Sequence, residues 1–96
     1  MADPKSAVTL RFYDTIAVNP GEITANSSED YEVTCTGLKV NYPVLAWPQA
    51  ALPATWDDVV YMVIGCWAAD KLRIRVCNPT GGNLTPASAD FSVVQL

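Results

Sequence analysis

The chain has 96 residues, of which 50% are apolar and 17% are charged, and its formal net charge is −4 at pH 7. This length predicts one domain, and the positive mean hydropathy of +0.14 excludes the low-hydropathy class of disordered chains. The sequence has no His, so it lacks the commonest acid–base group and metal ligand, and its acidic balance argues against nucleic-acid binding.

Half of the residues are apolar, which is a large share for so short a chain. A domain of this size removes only roughly 60–65% of its surface from water when it folds. The apolar excess therefore predicts that part of the surface is covered by another copy or by a larger partner. The longest apolar stretch, residues 59–69, is shorter than the roughly 20 residues of a membrane-spanning helix, and no export signal is visible, so we expect no membrane partner and assembly inside a cell.

In the first part of the chain, apolar residues recur with the period of two that is typical of strands. Alternation predicts a strand over residues 7–18, with a bulge or bend near Asp14-Thr15, after a flexible arm over residues 1–6. The polar run over residues 26–30 predicts a turn, and residues 31–36 predict the next strand.

Residues 41–58 differ in composition from the rest of the chain because prolines alternate with large apolar side chains. Only residues 44–47 are predicted as strand, since Pro cannot donate to a β-ladder. This segment is either a flap over one end of the fold or a contact with another chain, because interface cores favour Trp and Tyr. Its candidate interface residues are Tyr42, Trp47, Leu52 and Trp56.

Residues 59–69 form a nearly unbroken apolar run, which predicts a strand covered on both faces. A tight turn at Asp70 leads into residues 71–77, where apolar and charged residues alternate, and these two strands are predicted to pair antiparallel. The charged side of the second strand carries Arg73 and Arg75. They are interpreted either as a solvent-facing surface or as partners for an acidic surface on another chain.

A loop over residues 78–83 and a last strand over residues 91–96 complete the pattern. Short strands at this spacing, joined by Gly, Pro and Asn turns, predict an all-β fold, a single antiparallel β-sandwich or jelly-roll-like small barrel over residues 1–96.

The sequence offers little for catalysis or for metal binding. The clusters of carboxylates at residues 29–32 and 57–58 match no calcium loop and are interpreted as solvated turns. Hydroxyl groups are plentiful but have no evident base. Cys35, Cys66 and Cys77 have no CxxC spacing and are interpreted as small core residues with one half-exposed thiol. We therefore predict no catalytic, cofactor-binding or metal-binding residues and no enzymatic activity.

Three stretches of the sequence carry a resemblance to a known family. They are residues 18–28, which include Asn19-Pro20-Gly21, residues 72–81, and residues 83–91 before the closing Val-rich strand. Over about residues 8–96 the chain resembles small virion proteins of tailed bacteriophages, of the capsid decoration (cement) or head-fibre type. Members of that family often have a Gly-Asp pair after the turn that corresponds to Gly37, where this chain has Asn41-Tyr42-Pro43.

The resemblance implies a β-sandwich that forms homo-oligomers, commonly trimers, and that caps capsomer junctions on the outer surface of the head. It implies the major capsid protein as partner, synthesis in the host cytoplasm, and no catalytic residues. The leading hypothesis is therefore a capsid decoration protein that reinforces the head. The alternative is a receptor- or glycan-binding module of a phage fibre or tail, with Trp47 or Trp56 stacked on sugars; a bacterial surface Ig-like module is a third, which the lack of an export signal disfavours.

Overall fold

The computed structural model describes residues 12–96, and the predicted arm and the predicted strand residues 7–11 lie outside this range. Six strands account for most of it, and among the described residues no helix is long and apolar enough to cross a membrane. The strands are β1 (Phe12–Val18), β2 (Ser27–Thr34), β3 (Val44–Pro48), β4 (Val60–Ala68), β5 (Lys71–Asn78) and β6 (Ala89–Gln95), with a short 3₁₀ helix over Ala54–Trp56.

The strands form two three-stranded antiparallel sheets, which we call the first sheet, in the order β1-β6-β3, and the second sheet, in the order β2-β5-β4. Side chains alternate along the regular strands, so every second residue of such a strand faces the other sheet. On β5, for example, Leu72, Ile74 and Val76 are all fully buried. The predicted all-β sandwich is confirmed.

An aromatic cluster fills one part of the core. The ring centroids of Tyr61 and Phe91 lie 5.5 Å apart in an edge-to-face arrangement, and the ring of Trp56 lies 6.1 Å from each of them. The indole Nε1 of Trp56 donates a 2.6 Å hydrogen bond to the carbonyl of Ala87. The short helix therefore anchors the segment before β4 to both sheets.

The first strand differs from its prediction because it contains no bulge among its described residues. Its pairing with β6 runs without interruption from Phe12 opposite Gln95 to Val18 opposite Ala89. Asp14 is a polar residue on the apolar side of β1, but the alternation of side chains continues through it. The strand, which lies at the edge of the sheet, therefore stays in register with β6.

The second strand begins earlier than predicted. Only Asn26, with a φ of 53°, has the left-handed backbone of a turn, and β2 starts at the next residue. Residues 27–30 are polar, yet they pair regularly with β5, and Asp30 lies opposite Arg75. An edge strand with one side in water accommodates such a sequence because its outward side chains need no burial.

Asp70 forms the turn between β4 and β5 and also holds the connection that follows β2. Its φ is 67°, a conformation that Asp tolerates better than most residues. Its carboxylate Oδ1 accepts a 2.8 Å hydrogen bond from the amide of Gly37. Its backbone amide donates to the carbonyl of Leu38 and its carbonyl accepts from the amide of Cys35. The predicted tight turn at Asp70 is confirmed.

Gln95 holds the chain before β3 against the end of β6. Its side chain is fully buried, donates a 2.6 Å hydrogen bond to the carbonyl of Lys39 and accepts a 2.9 Å bond from the amide of the same residue. A buried amide with both ends paired avoids the cost of an unsatisfied polar group. It therefore fixes where residues 39–42 lie.

Trp56→Phe is expected to lower the free energy of unfolding by about 1–3 kcal/mol, because it removes the bond to Ala87 and leaves that carbonyl without its partner. Trp56→Ala is expected to cost about 3–5 kcal/mol, as for other large core truncations. Urea unfolding followed by circular dichroism measures both. Trp47→Ala, at an exposed position, is the control; an equal loss in that variant would contradict the assignment of Trp56 to the core.

The three cysteines are free thiols, and Cys35 is buried while Cys66 and Cys77 are half-buried. Burial, with a smaller contribution from Asp14, raises the pKa of the Cys35 thiol to about 11. We expect a thiol reagent at neutral pH to modify Cys66 and Cys77 in the folded protein and Cys35 only in denaturant, because the reactive species is the thiolate. Mass spectrometry after timed labelling measures this; fast native labelling of Cys35 would contradict it.

Candidate interaction surface

Large apolar side chains are exposed on the outer faces of both sheets, mainly on the edge strands β3 and β4, which contact each other between the two sheets. Trp67, Met62 and Val60 of β4 are 65%, 59% and 57% exposed, and Leu45 and Trp47 of β3 are 54% and 44% exposed. We call these five residues the β3–β4 surface. Tyr13, on the outer face of β1, is also exposed.

The register explains why the β4 residues face water. Met62 lies opposite Arg75, and Gly65 lies opposite Arg73. Neighbouring residues in a sheet share a face, so the outer side of β4 follows the charged side of β5. The prediction that residues 59–69 are covered on both faces is corrected: by the residues that the structure describes, only the inner face is covered.

An open cleft of about 350 Å³ lies between residues 40–44 and residues 64–67. Tyr42 and Trp67 line it, and no charged side chain does. Gly65, with a φ of +125°, lies in an irregular part of β4, and a Cβ at this position would meet nothing within 4 Å. The cleft is at the lower end of the size range of small-ligand sites.

Arg73 connects this surface to β2. Its guanidinium carbon lies 5.4 Å from the centre of the Trp67 ring, a cation–π distance. Its Nη2 donates a 2.6 Å hydrogen bond to Glu32, and its Nη1 lies 4.0 Å from Asp30. Trp67 is thus held in place by a cation that is itself paired across the sheet.

Arg75 forms a second ion pair between β5 and β2. Its Nε and Nη2 donate to the two carboxylate oxygens of Asp30 at 2.7 and 3.2 Å. Both arginines therefore use their donors within the chain. Of the two interpretations of Arg73 and Arg75, the structure places them on the outer face with acidic partners on β2, which are Asp30 and Glu32.

The candidate residues of the proline-rich segment separate into two groups. Tyr42 and Trp47 are exposed, whereas Leu52 is half-buried and packs against the core. Trp56 is only 3% exposed, so its predicted place on an interface is corrected. Its neighbours Tyr61 and Phe91 explain this position, because the short helix turns the indole inward to complete their cluster. The flap interpretation thus fits Leu52 and Trp56.

The exposed residues of β4 were missed from sequence, although a signal for them exists. An unbroken apolar run does not show which side chains face out, but the alternation of its hairpin partner does. Once β4 and β5 pair across the Asp70 turn, alternation against Arg73 and Arg75 assigns Val60 and Met62 to the outer face. Trp67 lies among the register shifts of β4, which the sequence does not show.

Comparisons of this chain with known protein families, with curated proteins and with solved structures found no match.

The hydrogen bonds from Arg75 lower the pKa of Asp30 below its usual value. A lowered native pKa contributes stability above the pKa of the unfolded state, and this stability is lost as pH falls through the native pKa. We expect a carboxyl NMR titration to give a low Asp30 midpoint that rises in Arg75→Gln. Lys71→Gln, on the same face of β5, is the control; an unchanged midpoint in Arg75→Gln would contradict the assigned pair.

Proposed function

We propose that this chain is a non-enzymatic structural virion protein, a capsid decoration (cement) protein that binds the outside of a phage head and stabilises it. The observation that carries the proposal is the β3–β4 surface. On a domain this small, several large exposed apolar side chains on two contacting strands favour a role in binding another protein. Trp is moreover among the residue types that contribute most to such interfaces.

The charges of the chain support a protein partner over nucleic acid. The net charge is −4, and Arg73 and Arg75 are paired with carboxylates on β2. A nucleic-acid surface needs unpaired cations that can displace counterions from phosphates. The proposed partner is the major capsid protein, reached at capsomer junctions on the outer surface of the virion, and the protein is made in the host cytoplasm.

Mass action supplies the stabilising effect. A protein that binds the assembled shell and not its dissociated subunits lowers the free energy of the shell. The effect grows with the ratio of the free concentration of the protein to its Kd. The resemblance noted in the sequence implies that it acts as a homo-oligomer. The non-enzymatic part of the proposal rests on the residues, because the sequence has no His and Arg73 and Arg75 are paired with carboxylates on β2.

Heads from a phage mutant that lacks this chain provide the test. The purified protein is expected to bind them and to raise the temperature at which they release DNA. Trp47→Ala is expected to weaken binding by ~2 kcal/mol or more, roughly 30-fold in Kd, because it truncates an exposed Trp. Glu29→Ala, an exposed residue on β2, is the matched control. Binding to host cells but never to heads would overturn the cement proposal.

A second function, glycan binding by a fibre or tail protein, is favoured by one observation. Trp67 is 65% exposed beside the cleft, with Tyr42 on the same lining, and exposed aromatic rings are surfaces on which sugars stack. A glycan array separates the two proposals. Glycan binding that is lost in Trp67→Ala but kept in Trp47→Ala would favour the glycan function. If the folded protein binds none of the sugars on the array, glycan binding is excluded for those sugars.

A further inference from the structure

Over residues 12–96, each sheet has two edge strands, β1 and β3 in the first sheet and β2 and β4 in the second. An edge strand presents unpaired backbone donors and acceptors, and proteins usually prevent unwanted pairing there with charges, prolines or very short strands. A comparison of the four edge strands therefore indicates which of them can pair with a strand of another chain.

Three of the edges carry such protection. On β2, Glu29, Asp30 and Glu32 place acidic side chains along the strand. The third strand, β3, has only five residues and ends in Pro48. On β1, Asp14 lies on the side of the strand that faces the other sheet, where an inward-pointing charge disfavours pairing with a further strand.

The fourth edge, β4, carries no charge and no proline and is not short, and its irregular part, which also protects an edge, is confined to the residues beyond Val63. Its nine residues include no charged residue and no proline. Val60 and Met62 are exposed on its outer face. The pairing with β5 is regular from Val60 to Val63 and becomes irregular only beyond that point. Among the described residues, no strand pairs with the free edge of β4.

We propose that β4 pairs with β4 of a second copy of this chain, antiparallel and around a two-fold axis near Met62. The product is a dimer with a continuous six-stranded sheet in which Val60 and Met62 of the two copies pack against each other. A two-fold axis suits a chain with one unprotected edge because the same surface serves both partners. A closed trimer needs a second, different surface on each chain.

The distribution of charge allows a second copy to be the partner. In the six-stranded sheet the two β2 strands, which carry Glu29, Asp30 and Glu32, lie at opposite ends, five strand spacings or roughly 24 Å apart. This separation exceeds the Debye length of about 8 Å at physiological ionic strength. The negative charges on β2 therefore do not oppose dimer formation, while the uncharged strands meet at the centre.

Sedimentation equilibrium over a range of micromolar concentrations tests the dimer. The wild-type protein is expected to shift from monomer to dimer mass, and Met62→Lys is expected to weaken association roughly 30-fold or more, since it removes a central contact and brings two like charges together. Leu45→Lys is the matched control, because Leu45 is similarly exposed but lies on β3. A monomer at all concentrations, a trimer, or equal losses in the two variants would overturn the proposal.

Amide hydrogen exchange distinguishes strand pairing from packing of two outer faces. Amides within residues 60–64 are expected to gain protection as the wild-type concentration rises, and not to do so in Met62→Lys. Circular dichroism confirms that the variants fold. A dimer whose β4 amides stay unprotected would overturn strand pairing. These measurements use the isolated protein, so their outcome is independent of whether it binds phage heads.

Discussion

The turn at Asp70 is the constraint on which the second sheet and its exposed surface depend. Its left-handed backbone closes the β4–β5 hairpin, and its hydrogen bonds tie that hairpin to residues 35–38. The hairpin register then places Met62 beside Arg75 on the outer face. Two register shifts lie between this turn and Met62, so the turn and the irregular part of β4 together decide which side of this apolar strand meets water.

The sequence predicted the strands well because most of them alternate in polarity. Leu72, Ile74 and Val76 point inward as expected, and the final strand and the Asp70 turn lie where the pattern placed them. The start of β2 was missed because Ser27 and the polar residues after it resemble a turn in composition. Composition does not distinguish a solvated edge strand from a polar turn, since the partner strand supplies the difference.

The candidate surface was predicted only in part, and the errors share one cause. The position of a large apolar side chain relative to the core depends on contacts between segments that are distant in sequence. Trp56 is buried because Tyr61 and Phe91 provide a place for its ring. Met62 is exposed because it lies opposite Arg75. The sequence therefore overestimated how much of residues 41–58 is exposed to partners, and it underestimated the exposure of residues 59–69.

The position of β6 between β1 and β3 has a consequence for the order of folding. The second sheet is complete in sequence once β5 has been made, and its β4–β5 hairpin is local. The first sheet has no central strand until β6 follows, and its contacts span most of the chain. Contacts between segments so distant in sequence form more slowly than a local hairpin, so the β4–β5 hairpin is expected to form before the first sheet covers its inner face.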